Sequence, residues 1–247
     1  MTITPWATRR AAERRTAVDD IARALALEIL RGDPAPGSHL PPLRALATRF
    51  EVTLPTVQRV IARLEAQGLV SAHQGSGVRV HDPQRQGELS LVPLWFEALA
   101  SDPPRAAEVL ADLLALRRVV AAHLVRRAPT RLLGALPRLA GLAAELSNAE
   151  TLERRAALDL AFTRALIEAS GSFAAQAVFR TIERLVEEVP WMAEAFYGDP
   201  TAHRQALAAL ATALATPGRS LGEAIEHALA PWDDTTVARY RHHLERS

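Results

Sequence analysis

Not one cysteine or lysine occurs in this chain. Without thiols, disulfides and thiolate metal sites are excluded, and a reducing cytoplasm is the natural setting. Without lysine, all 29 basic residues are arginine, a side chain suited to forked contacts with phosphate and guanine. Also missing is any apolar run near the roughly 20 residues that a bilayer-spanning helix needs, so no membrane partner is expected. The opening stretch MTITPWATRRAAERR carries arginines but neither an apolar signal core nor a small-residue cleavage site, which argues against export. There is no phosphate loop, nucleophile elbow or HExxH helix, and the scattered histidines lack partner spacing, so an enzyme is not expected.

What is present suits a soluble protein with real cores: 49% of residues are hydrophobic and 23% charged. A length of 247 residues fits two ordinary domains. The net charge of +1 is unevenly spread. Residues 1–80 hold 11 Arg against 7 acids, and the remainder holds 18 Arg against 21 acids. A basic front on a mildly acidic back fits a DNA-binding module joined to a module that does not touch DNA.

The pattern along the chain predicts a flexible arm over 1–16, then a helix over 17–31 with Val18, Ile21, Leu25 and Ile29 as its apolar stripe. Gly32-Asp33-Pro34 and Pro36-Gly37 are turn chemistry, and a short helix over 43–50 follows Pro41-Pro42. Thr53 is placed to N-cap the next helix, 54–67, with Pro55 harmless in its first turn. Val57, Val60, Ile61 and Leu64 lie on one face of that helix, and Gly68 ends it. Strand-like runs over 69–73 and 78–81 flank Gln74-Gly75-Ser76-Gly77, predicting a hairpin. Two short helices joined by a tight turn and followed by a hairpin describe a winged helix-turn-helix. Thr53, Thr56 and Gln58 sit at the exposed start of the second helix, suited to phosphates and base edges. Arg59 and Arg63 lie further along it, where phosphate contact is expected. Residues 82–90 read as a linker. From 91 to 245 strand signals vanish, and Ala- and Leu-rich helical periods predict an all-α bundle with helices near 91–100, 104–127, 130–147, 150–169, 172–197, 200–215, 219–230 and 233–245. The fold class is thus mainly α: an N-terminal winged helix-turn-helix over 17–81 with a small β-hairpin wing, plus a C-terminal all-α helical bundle.

The stretch ILRGDPAPGSHLPPLRALATRFEVTLPTVQRVIARLEAQGLVSAHQGSGVRV resembles the DNA-binding domain of the GntR family of bacterial repressors. The family's opening phrase appears as Gly32, Pro36-Gly37, Leu40-Pro41 and Arg44, followed by Leu46-Ala47, a reader helix, a Leu-Glu-x-x-Gly-Leu close and a glycine-bearing wing. The resemblance implies DNA contacts at Arg44, Thr53, Thr56, Gln58, Gln74 and Gly75. Two arginines usual in the family are replaced here, by Leu54 and Gln58, so the operator should differ from common family sites.

The helices VLADLLALRRVVAAHLVRRA and LDLAFTRALIEASGS are similar to the FadR-like subgroup, whose C-terminal domain is all-helical. In that subgroup's metal-binding branch an Asp and a His at i, i+4 join two later histidines, a donor set suited to Zn, Ni or Mn. Asp159 matches the aspartate, but Thr163 stands in the first histidine's place, while His203 and His227 fall near the later two. At most Asp159, His203 and His227 remain as ligands, so no cofactor is expected beyond a weakly held divalent metal. Another branch senses acyl-CoA, but its glycine- and aromatic-rich ligand segment lacks a counterpart here. Arg117 matches an arginine that faces the subgroup's cavity, where it would pair with an effector carboxylate. The expected effector site is therefore Arg117, Asp159, Thr163, His203 and His227, its ligand a small organic acid or an acyl-CoA. The expected partners are a double-stranded DNA operator and a second copy of the chain. The alternative is a DNA-binding regulator or nucleoid-type protein whose helical domain only dimerises.

Overall fold

The computed structural model describes residues 16–73, 75–127, 129–215 and 221–247. The expected arm lies outside the described residues except for Thr16, and Gln74 lies outside them too. The chain divides into two compact units, one ending at Ser101 and the other running from Asp102 to Ser247.

The first unit opens with α1 (Ala17–Leu30), whose start is fixed by a capping box. The Thr16 hydroxyl accepts from the Asp19 N–H, and the Asp19 carboxylate accepts from the Thr16 N–H at 2.8 Å. Helix α2 (Leu43–Arg49) and α3 (Leu54–Ala66) are joined by a turn in which Glu51 adopts φ 54°. Helix α3 buries the stripe Val57, Val60, Ile61 and Leu64 against α1 and α2. Strands β1 (Val70–His73) and β2 (Gly77–Val80) pair antiparallel, with Val70 opposite Val80 and Ala72 opposite Val78. Gly68 ends α3 at φ 73°, where a Cβ would run into the Gln86 carbonyl oxygen, so both conformation and space demand glycine.

The expected linker is not free chain. Pro83–Gln86 forms α4, capped by Asp82, and the Glu88 N–H donates to the Gln67 carbonyl. Val92–Ala98 forms α5, which packs on α1: Leu91 and Leu94 enter the same core as Leu25 and Leu64, and Glu97 pairs with Arg23. The stretch 91–100, expected to begin the bundle, completes the core of the first unit instead.

The second unit is all helical: α6 (Pro103–Arg127), α7 (Pro129–Ser147), α8 (Leu152–Ser170), α9 (Phe173–Glu188), α10 (Met192–Tyr197), α11 (Pro200–Ala215) and α12 (Leu221–Glu245). Two expected boundaries differ. The helix expected over 172–197 breaks at Val189-Pro190-Trp191, because a residue before proline is pushed to extended backbone and Val189 sits at ψ 124°. Trp191 then turns the chain at φ 64° and stacks on His243. Conversely, the break expected near Pro231 is absent. Helix α12 runs through it, packed along α6 more extensively than any other helix pair, so tertiary packing outweighs the one backbone bond that proline removes. No helix among the described residues is long and apolar enough to cross a membrane.

Candidate functional site

The first unit presents a reading head. The N-cap geometry of Thr53 leaves its hydroxyl 2.9 Å from that of Thr56 at the exposed end of α3. Because the buried stripe fixes which face turns inward, Gln58 and Arg59 are exposed. Arg44 is exposed on the first turn of α2. Neither Arg44 nor Arg59 makes an ion pair among the described residues. Arg63 differs: its guanidinium pairs with Asp19 of α1, so it ties two helices together instead of pointing at phosphate. Gly75 lies at the wing tip with φ 83° and open space where a Cβ would be. Leu54, one of the replaced arginine positions, is 37% exposed at the first residue of α3.

The second unit holds two adjoining, partly open cavities, here called lobes, each of about 80 Å³. One lobe lies among α6, α8, α11 and α12, with Val125, Leu210, Ile225 and Trp232 in its wall. The other lies among α6, α8, α9 and α10, walled by Leu113, Leu160, Phe179 and Ile182. Arg117, Ala121, Asp159, Thr163 and Leu166 line both, so the lobes share a polar waist in an otherwise apolar space.

Four of the five expected effector residues therefore come together: Arg117, Asp159, Thr163 and His203. The fifth does not. The α12 stripe Ile225, Leu229, Trp232, Thr236 and Tyr240 faces inward, and two residues beyond Ile225 a helix has turned about 200°. His227 is accordingly exposed and lines neither lobe. The metal set falls with it. A zinc-type site takes four ligands, at least three of them from protein, and only Asp159 and His203 meet. Among the described residues no three His, Asp or Glu side chains are grouped to hold an ion. The donors present do not fit a divalent metal.

Asp159 is instead satisfied by protein. The Tyr197 hydroxyl donates to its Oδ2 at 3.0 Å, and His203 Nε2 lies 3.2 Å from its Oδ1. Burial, followed by the Asp159 charge, pushes the Tyr197 hydroxyl well above its ordinary value, which keeps it a donor. The Tyr197 ring meets His203 edge-on at 5.4 Å, and Trp232 packs on the same imidazole at 5.2 Å. Tyr197 was not picked out from sequence, and its only prior signal was an aromatic residue ahead of a glycine.

Arg117 is also engaged. It shares the Asp233 carboxylate with Arg118, one oxygen each, and its guanidinium lies 5.0 Å from the Trp232 ring centroid. Its Nε is buried without a hydrogen-bond partner. Burial raises the Asp233 carboxyl, and the Arg117 charge, then Arg118, pulls it back. Arg117 lines both lobes, where a guanidinium can donate to a ligand oxygen.

A winged helix with an exposed reader helix, carried on the same chain as a hollow helical bundle, defines a DNA-binding transcription regulator. The chain belongs to the GntR family. Residues 17–80 match the bacterial regulatory proteins of the gntR family. An uncharacterised HTH-type transcriptional regulator of Mycobacterium tuberculosis is 33% identical over 175 residues, covering 69% of each chain. The HTH-type transcriptional regulator Mce2R of the same species is 32% identical over 141 residues, 57% of this chain and 51% of that one. Among solved structures, Lar, described as controlling expression of the Listeria monocytogenes agr system and mediating virulence, superposes with a TM-score of 0.55. It is 18% identical and the match spans 93% of this chain and 98% of Lar, a likeness of fold alone.

Proposed function

We propose that this regulator is a cytoplasmic repressor that binds a pseudo-palindromic operator as a homodimer, and that an amphipathic organic acid in the two-lobed cavity controls its grip. Arg44, Thr53, Thr56, Gln58, Arg59, Gln74 and Gly75 make the DNA contacts, with Arg44 and Gln58 at base edges and Arg59 at phosphate. A single reader helix buries too little surface for tight binding, and two-fold symmetry doubles it.

The observation that carries the effector reading is the waist between apolar lobes. The walls select hydrocarbon, and Arg117 and Thr163 supply the few polar groups that fix orientation. A free acid suits this better than an acyl-CoA, whose phosphates need several cations. Among the described residues Arg117 is the sole arginine lining the lobes, and Asp233 already holds part of it.

The test is calorimetric titration of the whole chain with straight-chain carboxylic acids of increasing length, alongside operator binding at fixed salt. The expected result is saturable binding that tightens with chain length, is lost in Arg117→Ala, and changes operator affinity. Heats indistinguishable from dilution across the series, with operator affinity unmoved, would overturn the effector reading and favour a bundle that only dimerises.

A further inference from the structure

The border between the two lobes follows one row of side chains on each of two helices. On α6, Arg117 and Ala121 line both lobes, while Leu116 and Val120 line one and Val125 the other. On α8, Asp159, Thr163 and Leu166 line both, with Leu160 on one side and Phe162 on the other. Residues three or four apart share a helix face, so each row is continuous and apolar side chains flank it on both sides. The waist therefore divides the space through its middle, with hydrocarbon walls to either side.

Beyond the waist the lobe walls hold three further polar side chains among the described residues, and each is engaged within the protein. The Tyr197 hydroxyl donates to Asp159, and His203 Nε2 lies 3.2 Å from the same carboxylate. The Trp232 indole N–H donates to the Phe196 carbonyl at 3.2 Å. Thr163, by contrast, makes no side-chain hydrogen bond among the described residues. The groups left for a ligand, Arg117 and Thr163, thus both belong to the border and to neither lobe alone.

We infer that the acid bound here carries its polar group in the middle of the molecule: a carboxylic acid branched at carbon 2, its carboxylate on Arg117 and one hydrocarbon arm in each lobe. The inference rests on the effector reading above and gives it a ligand class. A straight-chain acid has its polar group at one end. Anchored on Arg117, it fills one lobe and leaves the other empty. Laid through both lobes, it carries its carboxylate away from Arg117 among apolar walls, where an unpaired charge is costly. The branched acid meets both demands at once. A lobe of about 80 Å³ takes on the order of five groups the size of water or a methylene, which sets the arms at about four carbons.

Two isomers test this on the full chain by titration calorimetry. Decanoic acid and 2-butylhexanoic acid have the same carbon count and one carboxylate each, and differ only in where the chain is joined. The branched isomer should bind about tenfold tighter, because only it fills both lobes from one anchor. Ala206 is buried in the wall of one lobe alone and Ala175 in that of the other, so each lobe can be narrowed separately. Ala206→Leu and Ala175→Leu should each weaken the branched acid about tenfold and leave decanoic acid within about threefold, since a straight chain has the other lobe to use. Circular dichroism is the fold control, and if a narrowed variant loses helicity the isomer pair on the parent chain still decides. Decanoic acid binding as tightly as its isomer, or tighter, overturns the branched ligand and leaves the effector reading in place. A preference for the branched acid that survives both narrowed lobes overturns the division between lobes as its cause. Binding of neither acid overturns the effector reading, and this inference with it.

Discussion

The two units spend arginine in opposite ways. In the helical unit guanidiniums close gaps in the structure: the half-buried Arg117 and Arg118 converge on Asp233, and the buried Arg155 reaches three backbone carbonyls. In the reading unit Arg23, Arg49 and Arg63 are paired, but Arg44 and Arg59 project from the reading helices without an ion pair among the described residues. Arg44 and Arg59 thus keep their donors for a partner outside the fold.

Arg155→Ala should break the architectural side hardest. Arg155 Nε donates to the Tyr197 carbonyl at 3.1 Å, and one terminal nitrogen to those of Ala149 and Glu150 at 3.2 and 2.9 Å. Leaving these acceptors without a donor in a site only 7% exposed should cost about 3 kcal/mol in denaturant unfolding. Arg44→Ala is the counterpart. It should leave the unfolding midpoint in place while weakening operator binding by about 2 kcal/mol at matched salt, the value of a guanine contact. If it destabilised the fold as Arg155→Ala does, the contrast between the units would collapse.

A smaller effect sharpens the comparison through pH. Asp199 caps α11, accepting from the Ala202 and Thr201 N–H groups, and pairs with Arg239. The Ala202 N–H first, with Arg239 and Thr201 behind it, holds its carboxyl below the ordinary value of 3.8. A carboxyl lowered by folding lends stability that is present above its unfolded value and lost as pH falls through the folded one. Asp199→Asn should therefore lower stability slightly at neutral pH, with parent and variant converging as pH falls below about 4, read by thermal unfolding across pH.

The reading unit was legible because its signals are local. Thr53, Pro55 and Gly68 mark the limits of α3 within a few residues, and the 3.6-residue stripe names its buried face. The helical unit yielded less, since its decisive contacts join distant residues. Asp159, Tyr197 and His203 meet from three helices, and Asp233 meets Arg117 across more than a hundred residues. No spacing rule announces either cluster. His227 was misplaced for a related reason: nearness in sequence to an expected ligand position says nothing of helix phase, and the stripe through Ile225, Leu229 and Trp232 turns it outward. The apolar run at Leu91 and Leu94 is equally silent about which of two cores will claim it.

Asp233 has one more consequence. If an acid binds Arg117 as proposed, Asp233 is a rival tethered beside it, and a tethered group acts at an effective concentration of order millimolar or more. Any free acid drawn to Arg117 must outcompete it, so the carboxylate alone gains little. Selectivity then falls to the hydrocarbon: each methylene buried in the lobes adds about 0.8 kcal/mol, with nothing tethered to compete for that space. On that proposal a short acid such as acetate, however abundant, would be screened out by a side chain that never leaves its helix.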